Sequence, residues 1–108
     1  MNAAILLIDI QNDYFPGGAM ELTGMTQAAA QAREVLTSCR QARRPIFHIQ
    51  HLALGPDAAF FRPHTVGVEI QASLRPLPGE ALIQKHYPNA FRETDLKEAF
   101  NHAGAEEV

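Results

Sequence analysis

A short run near the amino terminus governs the architecture expected for the whole sequence: Ala3-Ala4-Ile5-Leu6-Leu7-Ile8-Asp9-Ile10-Gln11-Asn12-Asp13-Tyr14-Phe15. Apolar residues continue without a break as far as Asp9, and polar residues follow directly. An unbroken apolar run predicts a strand that is buried on both faces, as in a parallel sheet covered by helices. Ligands of such sheets bind beyond the carboxyl ends of the strands, where Asp9 would lie. Asp9 is therefore a candidate functional residue, with capping of the following turn as the plain alternative.

The composition predicts one small domain that binds neither nucleic acid nor membrane. The sequence has 108 residues and a formal net charge of −3, which gives no electrostatic basis for contact with nucleic acid or an anionic bilayer. No segment approaches the roughly 20 apolar residues that span a membrane. Met1-Asn2 supplies no basic start of a signal peptide, and the single Cys39 excludes an internal disulfide. We therefore expect a cytoplasmic protein.

Strand and helix patterns alternate along the rest of the sequence. The predicted elements are a helix over 26–43, a strand over 45–51, a strand over 80–85 and a helix over 94–102 with Thr94 as its N-cap. The buried face of the first helix is expected to be Ala28, Ala32, Val35, Leu36 and Cys39. A strand, a helix and a further strand predict a right-handed βαβ unit, and hence an α/β fold with a parallel sheet.

The connection over 52–78 is long and rich in proline and glycine, with a short helix expected near 68–74. Loops of this length in compact domains are usually functional or disordered. Disordered segments contain few aromatic residues, so Phe60 and Phe61 favour a packed pocket wall.

Asp9 and Lys85 each end a predicted parallel strand, so both side chains should lie at the same edge of the sheet. Two interpretations follow. The pair is a structural ion pair, or it is a catalytic pair in which the carboxylate carries a proton and the ammonium stabilises developing negative charge.

Three segments carry a family resemblance: Ile8-Asp9-Ile10-Gln11-Asn12-Asp13-Tyr14-Phe15, the Gly17-Gly18 loop, and Lys85-His86-Tyr87-Pro88-Asn89-Ala90-Phe91. Together they resemble the isochorismatase-like cysteine hydrolases, which include isochorismatases, nicotinamidases and other small-amide hydrolases. The resemblance runs from Ala4 to Val108 with the elements in the expected order. It implies a Rossmann-like doubly wound parallel sheet, the isochorismatase-like hydrolase fold.

Members of this family use an Asp–Lys–Cys triad, and the resemblance places the first two members at Asp9 and Lys85. In the amide hydrolases of the family the thiol attacks the carbonyl, the Asp accepts the thiol proton, and the Lys holds the carboxylate. The resemblance places the cysteine after a fourth strand, beyond Val108. Cys39 cannot replace it, because it lies on the apolar face of the first predicted helix. We therefore expect residues 1–108 to be a partial domain, truncated after the third strand and its following helix. A truncated gene product, a fragment and a chain completed by a second polypeptide all stay open.

The five histidines raise the question of a metal site. Nicotinamidases of the family bind a metal through an Asp-x-His segment after the second strand and a further His. This sequence reads His48-Ile49-Gln50-His51-Leu52-Ala53 there, with no carboxylate. His48 and His51 are three positions apart on a strand and should point to opposite faces. We therefore expect neither a metal nor another cofactor. The roles of His64 and His86 stay open.

The resemblance implies a hydrolase for a small amide or related C–N bond, with a substrate pocket at Phe15, His51 and Phe91. An isochorismatase-type vinyl-ether hydrolase, whose Asp protonates the substrate without a thiol, is one alternative. A catalytically inactive binding or scaffold fragment is another. The expected partners are a small-molecule substrate and either a second copy of the chain, as a homo-oligomer, or the missing C-terminal part of the domain.

Overall fold

The apolar run near the amino terminus forms strand β1, Ile5–Ile8, in the computed structural model, which describes residues 3–105. The other regular elements are α1 (Met25–Gln41), β2 (Ile46–His51), β3 (Ala81–Lys85) and α2 (Leu96–His102). Two short 3-10 turns, Asn12–Tyr14 and Ala72–Leu74, lie in the connections. This order confirms the order predicted from the sequence, and no end of these strands and α-helices differs from its predicted position by more than two residues.

All three strands run parallel, in the order β1-β2-β3. Ile8 pairs with Ile49, and His51 pairs with Lys85 two residues further on. The carboxyl ends of the strands therefore meet at one edge of the sheet. We call it the carboxyl edge.

The two helices cover opposite faces of this sheet. Leu36 of α1 belongs to an apolar cluster with Leu7 and Ile46, whereas Leu96 of α2 belongs to a cluster with Phe47. Helices on both faces of a parallel sheet are the arrangement of a doubly wound α/β fold, which confirms the predicted fold class.

The prediction that the first strand is buried on both faces is wrong for the described part of the chain. Leu7 is buried, but the side chain of Ile8 is 47% exposed. Among residues 3–105, β1 pairs with β2 alone and therefore lies at an edge of the sheet. No neighbouring strand flanks an edge strand on its outer side, and this explains the exposure of Ile8.

The buried face of α1 differs from the predicted face by one position. Ala28 and Val35, which the apolar pattern places on that face, are exposed. Leu74 of the second 3-10 turn packs beside the helix, so the contacting stripe includes residues that touch this turn as well as the sheet. The side chains in the stripe are Ala29, Ala32, Leu36 and Cys39.

Two smaller predictions, about a short helix and a helix cap, can also be compared with the structure. The short helix expected near 68–74 is only the 3-10 turn Ala72–Leu74. The N-cap position of α2 is Asp95, whose side chain makes no capping hydrogen bond; the Thr94 hydroxyl accepts one of 3.3 Å from the Leu96 N–H and donates one of 2.6 Å to the Ala90 carbonyl. The sequence also predicts the approach to a fourth strand over 105–108, and residues 106–108 lie outside the described residues. No helix within residues 3–105 has the length and hydropathy needed to cross a membrane.

Candidate active site

Asp9 and Lys85 meet at the carboxyl edge of the sheet. Asp9 follows β1 directly, and Lys85 is the last residue of β3. The Nζ atom of Lys85 lies 3.4 Å from Oδ2 of Asp9 and donates a hydrogen bond of 2.8 Å to the Pro88 carbonyl. This confirms the predicted geometry, in which the two side chains lie within ion-pair distance at one edge. Their catalytic role stays a prediction.

The environment of this pair is largely closed to water. The side chain of Lys85 is 1% exposed and that of Asp9 is 22% exposed. A buried ammonium group is costly unless an opposite charge and hydrogen-bond acceptors compensate it, and Asp9 and the Pro88 carbonyl provide both. The Lys85 ammonium therefore lies 3.4 Å from a carboxylate that solvent still reaches.

Asp9 has an unusual conformation with unused hydrogen-bonding capacity. Its φ angle is 59°, in the left-handed region, while its N–H donates a bond of 3.1 Å to the Ile49 carbonyl. Its Oδ1 atom is buried, and no group in the described chain donates a hydrogen bond to it. Backbone strain and an unsatisfied buried acceptor are features that cluster at functional sites.

A cavity of about 330 Å³ opens beside Asp9. It is mostly apolar, and its walls come from the ends of β1 and β2 and from the loop after β2. Its lining comprises Asp9, Tyr14, His51, Phe60, Phe61 and Pro88, together with three alanines. A concave, mainly apolar space with a few polar groups is the usual form of a small-molecule site. Phe60 and Phe61 thus lie in a pocket wall, as the sequence predicts.

Phe61 is the centre of the aromatic part of this wall. Its ring centroid lies 4.7 Å from that of Tyr14, 5.0 Å from that of Phe60 and 5.6 Å from that of His51. Edge-to-face and tilted contacts at such distances are favourable for aromatic pairs. We call these four residues the aromatic wall.

The two titratable members of the aromatic wall are held in their neutral forms at pH 7. Burial, and secondarily the charge of Asp9, raises the pKa of the Tyr14 hydroxyl above its usual value of 10.0. Burial lowers the pKa of His51 below its usual value of 6.5, although the Asp9 charge acts in the opposite direction. Among the described residues, Asp9 is the one carboxyl group that lines the cavity.

The predicted pocket residues have different positions in the structure. His51 lines the cavity beside Asp9. Phe15 instead packs in the apolar cluster with Leu7 and Leu36, beneath α1. Phe91 is 52% exposed and does not line the cavity. Of the three predicted pocket residues, the structure brings His51 alone to the Asp9 cavity.

Gln11 is a functional candidate that the sequence reasoning did not single out. Its side chain is fully buried, and its Oε1 accepts a hydrogen bond of 2.8 Å from the His51 N–H. Its Nε2 donates to the carbonyls of His51 (2.9 Å) and Val68 (2.7 Å). Gln11 thus ties the end of β2 to the long loop and fixes the backbone of His51 at the cavity.

Asp13 is the second such residue. Its Oδ2 accepts a hydrogen bond of 2.7 Å from the Phe61 N–H, and its Oδ1 accepts one of 3.2 Å from the Ala19 N–H. A sequence signal for both residues is the spacing of Asp9, Gln11 and Asp13, three polar residues at alternate positions directly after an apolar run. A larger, open depression of about 700 Å³ beside Asp13 has no ionisable group in its lining except this already bonded carboxylate.

The histidines do not form a metal centre in the described chain. His48 faces α1, with its Nε2 atom 2.7 Å from Glu80 Oε1, whereas His51 faces the cavity; this confirms that they point to opposite faces. His64 is exposed, and the Nδ1 atom of His86 lies 2.9 Å from the Leu52 carbonyl. Within residues 3–105, no three His, Cys, Asp or Glu side chains come together as a metal site would require.

Cys39 lies far from this edge. It occupies the last turn of α1, which runs antiparallel to the strands, so it is close to their amino ends. Its side chain packs beside the cluster of Leu7, Leu36 and Ile46. This position confirms the prediction that Cys39 is a packing residue and not the thiol of a triad.

Comparison with known proteins gives a consistent result. A family model for the isochorismatase domain matches residues 3–108. The chain is 48% identical over 108 residues to an uncharacterised isochorismatase family protein, YddQ, of Bacillus subtilis, covering all of this chain and 60% of that protein. It is 29% identical over 105 residues to a streptothricin hydrolase of Streptomyces noursei, covering 97% of this chain and 37% of that enzyme.

Solved structures show the same likeness in three dimensions. A crystal structure of an isochorismatase hydrolase from Oleispira antarctica superimposes with a TM-score of 0.90 at 40% identity. The superposition covers 94% of this chain and 56% of the Oleispira chain. The 108 residues thus span 60% of the Bacillus protein, 56% of the Oleispira chain and 37% of the Streptomyces enzyme.

Proposed function

We propose, from the premise that this chain belongs to the isochorismatase domain family, that it supplies the acid–base part of a hydrolase site. The substrate is a small amide or a compound with a related C–N bond. Asp9 is the proton carrier and Lys85 is the residue that holds its carboxylate. Membership of the family, and the hydrolases among its relatives, support the reaction class.

The observation that carries the proposal is the placement of a cavity-lining carboxylate against a buried ammonium. Oδ2 of Asp9 faces Lys85 at 3.4 Å, while Oδ1 has no donor in the described chain, and Asp9 lines the cavity. A carboxylate that is anchored by one oxygen and unbonded at the other is suited to accept a proton from a reacting group. A purely structural ion pair would leave no such acceptor beside a cavity.

The reaction that the family resemblance implies has two stages, formation of a thioester and its hydrolysis. A thiol sulfur bonds to the amide carbonyl carbon, and the thiol proton moves to Asp9. Asp9 then gives this proton to the leaving nitrogen as the C–N bond breaks, which yields an amine or ammonia and a thioester. Water hydrolyses the thioester to a carboxylic acid and restores the thiol. Lys85 keeps Asp9 in place and stabilises negative charge near it.

The thiol in this proposal comes from outside residues 1–108. Cys39 is the single cysteine of the sequence, and it lies near the amino ends of the strands. In this proposal the nucleophile therefore belongs to a further part of the protein or to a second chain. Activity must be measured on the full-length protein, in which the site is complete.

A panel of small amides tests the reaction class in the full-length protein. We expect ammonia release from at least one neutral amide such as benzamide or acetamide, at a rate that depends on enzyme concentration. Blocking thiols with N-ethylmaleimide, in a Cys39→Ala background, should abolish this release because the nucleophile is a thiol. Cys39→Ala alone should leave turnover unchanged, since its side chain only packs against the core.

The same assay separates the two catalytic alternatives. A vinyl-ether hydrolase needs only a proton from Asp9, so its activity would survive thiol blocking. Enol-ether cleavage that persists after N-ethylmaleimide treatment, with no ammonia from any amide, would replace the amide hydrolase by that alternative. Absence of both activities in the full-length protein would favour an inactive binding protein and reject the proposal.

A further inference from the structure

We propose that Asp13 is a positioning residue for the substrate cavity and that it acts through Phe61. The inference rests on the proposed function, because it assigns a role in substrate selection at the same site. The Asp13 carboxylate bonds to Phe61 and Ala19 rather than to Asp9 or Lys85, and it takes no part in the proton transfers described above. Its carboxylate nevertheless determines the position of the aromatic wall.

The Asp13 carboxylate is buried and is held by backbone N–H groups. Asp13 is 7% exposed, and no Lys or Arg of the described chain lies within ion-pair distance of it. A buried carboxylate without a cation is unfavourable unless N–H groups satisfy its oxygens. Asp13 meets this condition with two backbone donors, at Phe61 (2.7 Å) and at Ala19 (3.2 Å). The two donors lie on different loops, so one side chain fixes both.

The backbone of Phe61 has a strained conformation that two hydrogen bonds hold. Its φ angle is 56°, a region that non-glycine residues rarely adopt, and the residue is 1% exposed. Its carbonyl accepts a hydrogen bond of 2.8 Å from the Ala53 N–H, and its N–H is held by Asp13. Two hydrogen bonds thus hold a backbone conformation that the residue would not adopt by itself. The ring direction, and with it the aromatic wall, depends on that conformation.

The space around the Asp13 carboxylate is closely packed. A Cβ atom placed on Gly67 would overlap the Asp13 carboxyl group, and the Asp13 N–H donates a bond of 2.9 Å to the Gly67 carbonyl. The loop after β2 therefore approaches Asp13 so closely that only glycine fits there. Such close packing leaves the carboxylate one orientation, with Oδ2 toward Phe61.

The position of the aromatic wall affects which size of substrate group the cavity binds well. Phe61 contacts Tyr14, Phe60 and His51, so a shift of its ring displaces the whole apolar side of the cavity. An aryl amide reaches this wall, whereas acetamide carries only a methyl group. Asp13 thus favours substrates with a larger apolar body, and its loss should affect those substrates selectively.

The kinetic test compares benzamide with acetamide in the full-length protein and in its Asp13→Asn variant. Asparagine preserves the shape but replaces one acceptor oxygen with an NH₂ donor, which faces a backbone N–H. We expect the ratio of kcat/KM for benzamide to that for acetamide to fall about 10-fold, through a higher KM for benzamide. A general loss of stability would lower both values alike. Asp57→Asn, an exposed change in the same loop, is the matched control and should leave the ratio unchanged.

A double-mutant cycle with Phe61→Leu shows whether Asp13 acts through Phe61. In the Phe61→Leu background the wall ring is already lost, so Asp13→Asn should change the ratio much less than in the parent protein. Equal effects of Asp13→Asn in both backgrounds would overturn the proposed route. An unchanged ratio in Asp13→Asn itself would overturn the positioning role.

A measurement that needs no turnover keeps this inference separate from the proposed function. Hydrogen exchange of the Phe61 amide should be faster in Asp13→Asn than in the parent, and benzamide, followed by NMR shifts of the His51 ring, should bind about 10-fold more weakly. If the parent hydrolyses no amide, the proposed function fails while these two results still decide the role of Asp13. Unchanged exchange, equal binding by the two proteins, or no binding of benzamide to the parent would each overturn it.

Discussion

Gly67 is the residue at which the packing of the long loop against the site is tightest. A side chain there would overlap the Asp13 carboxyl group, and the overlap cannot be relieved without moving Asp13 away from Phe61. Gly55, in the same loop, has open space around its Cα atom and a φ angle outside the left-handed region. The two glycines therefore form a matched pair for substitution.

We expect Gly67→Ala to lower the free energy of unfolding by about 2 kcal/mol, because it overpacks a closed contact. Gly55→Ala should have an effect near zero or slightly stabilising, since alanine lowers the entropy of the unfolded chain. Urea unfolding of the full-length protein and both variants measures the difference. Equal midpoints for the two alanine variants would contradict the close contact at Gly67.

For single residues, the sequence predicts the position of a side chain where that position follows from the end of a strand. The proximity of Asp9 and Lys85 can be predicted from the sequence alone, because parallel strands share a carboxyl edge. The role of Asp13 cannot, since it depends on a contact with Phe61, 48 residues away, that no local pattern encodes. Phe15 shows the same limit. It follows the motif closely in sequence, yet the 3-10 turn directs it beneath α1 instead of toward the cavity.

The elements on the α1 face of the sheet are joined by a partly buried charge network at Glu80. Arg40 of α1 donates to Glu80 through Nε at 2.6 Å and through Nη2 at 2.9 Å. His48 of β2 lies 2.7 Å from the same carboxylate. Hydrogen bonds from Arg40, from the Leu77 N–H and from His48 lower the pKa of Glu80 from 4.5 to about 2, against the opposing effect of burial. The network connects α1, β2 and the start of β3.

The sign of the pH dependence follows from this lowered pKa. The unfolded chain takes up a proton at Glu80 below about pH 4.5, whereas the folded protein resists it until about pH 2. The stabilisation is therefore complete above about pH 4.5 and is lost as the pH falls toward 2. We expect Glu80→Gln to reduce the free energy of unfolding by about 2 kcal/mol at pH 7, with a difference that shrinks between pH 4.5 and pH 3.

Urea unfolding of the full-length protein at pH 7, 5, 4 and 3 measures this effect. Glu34→Gln, an exposed change on α1, is the control and should show no such difference. A deficit in Glu80→Gln that stays constant from pH 7 to pH 3 would show that lost packing, not charge, causes it.

For the helices and strands, the apolar periodicity of the sequence predicts well which elements exist and in what order they occur. It predicts less well which of their side chains are buried. The stripe of α1 is displaced by one position because Leu74 packs beside the helix, and a sequence pattern does not report such a neighbour. β1 has the unbroken apolar run of a central strand, but Ile8 is half exposed in the described sheet. An unbroken apolar run predicts a strand with a neighbour on each side, whereas β1 has one neighbour among residues 3–105.

The described part of the molecule, residues 3–105, presents two exposed sheet edges. β1 and β3 each have one neighbouring strand there, and Ile8 on β1 and Leu82 on β3 are 47% and 49% exposed. An unpaired strand edge beside apolar surface is a template for association. We expect residues 1–108, prepared alone, to self-associate or aggregate. Sedimentation that shows a monodisperse monomer with a cooperative thermal transition would contradict this expectation.

The central claim is that Asp9 carries the proton of a hydrolase reaction, and one substitution tests it most directly. Asp9→Asn in the full-length protein keeps the size of the side chain and removes its proton-accepting capacity. Asp95→Asn makes the same chemical change at an exposed helix cap, away from the cavity. Both variants should retain the circular dichroism spectrum of the parent.

The deciding measurement is kcat of these three proteins on whichever amide the parent hydrolyses. Asp9→Asn should lose at least about 100-fold in kcat, the usual contribution of a positioned acid–base group, while Asp95→Asn keeps the parent value. A correctly folded Asp9→Asn protein that turns over at the parent rate would contradict the claim and leave Asp9 and Lys85 as a structural ion pair.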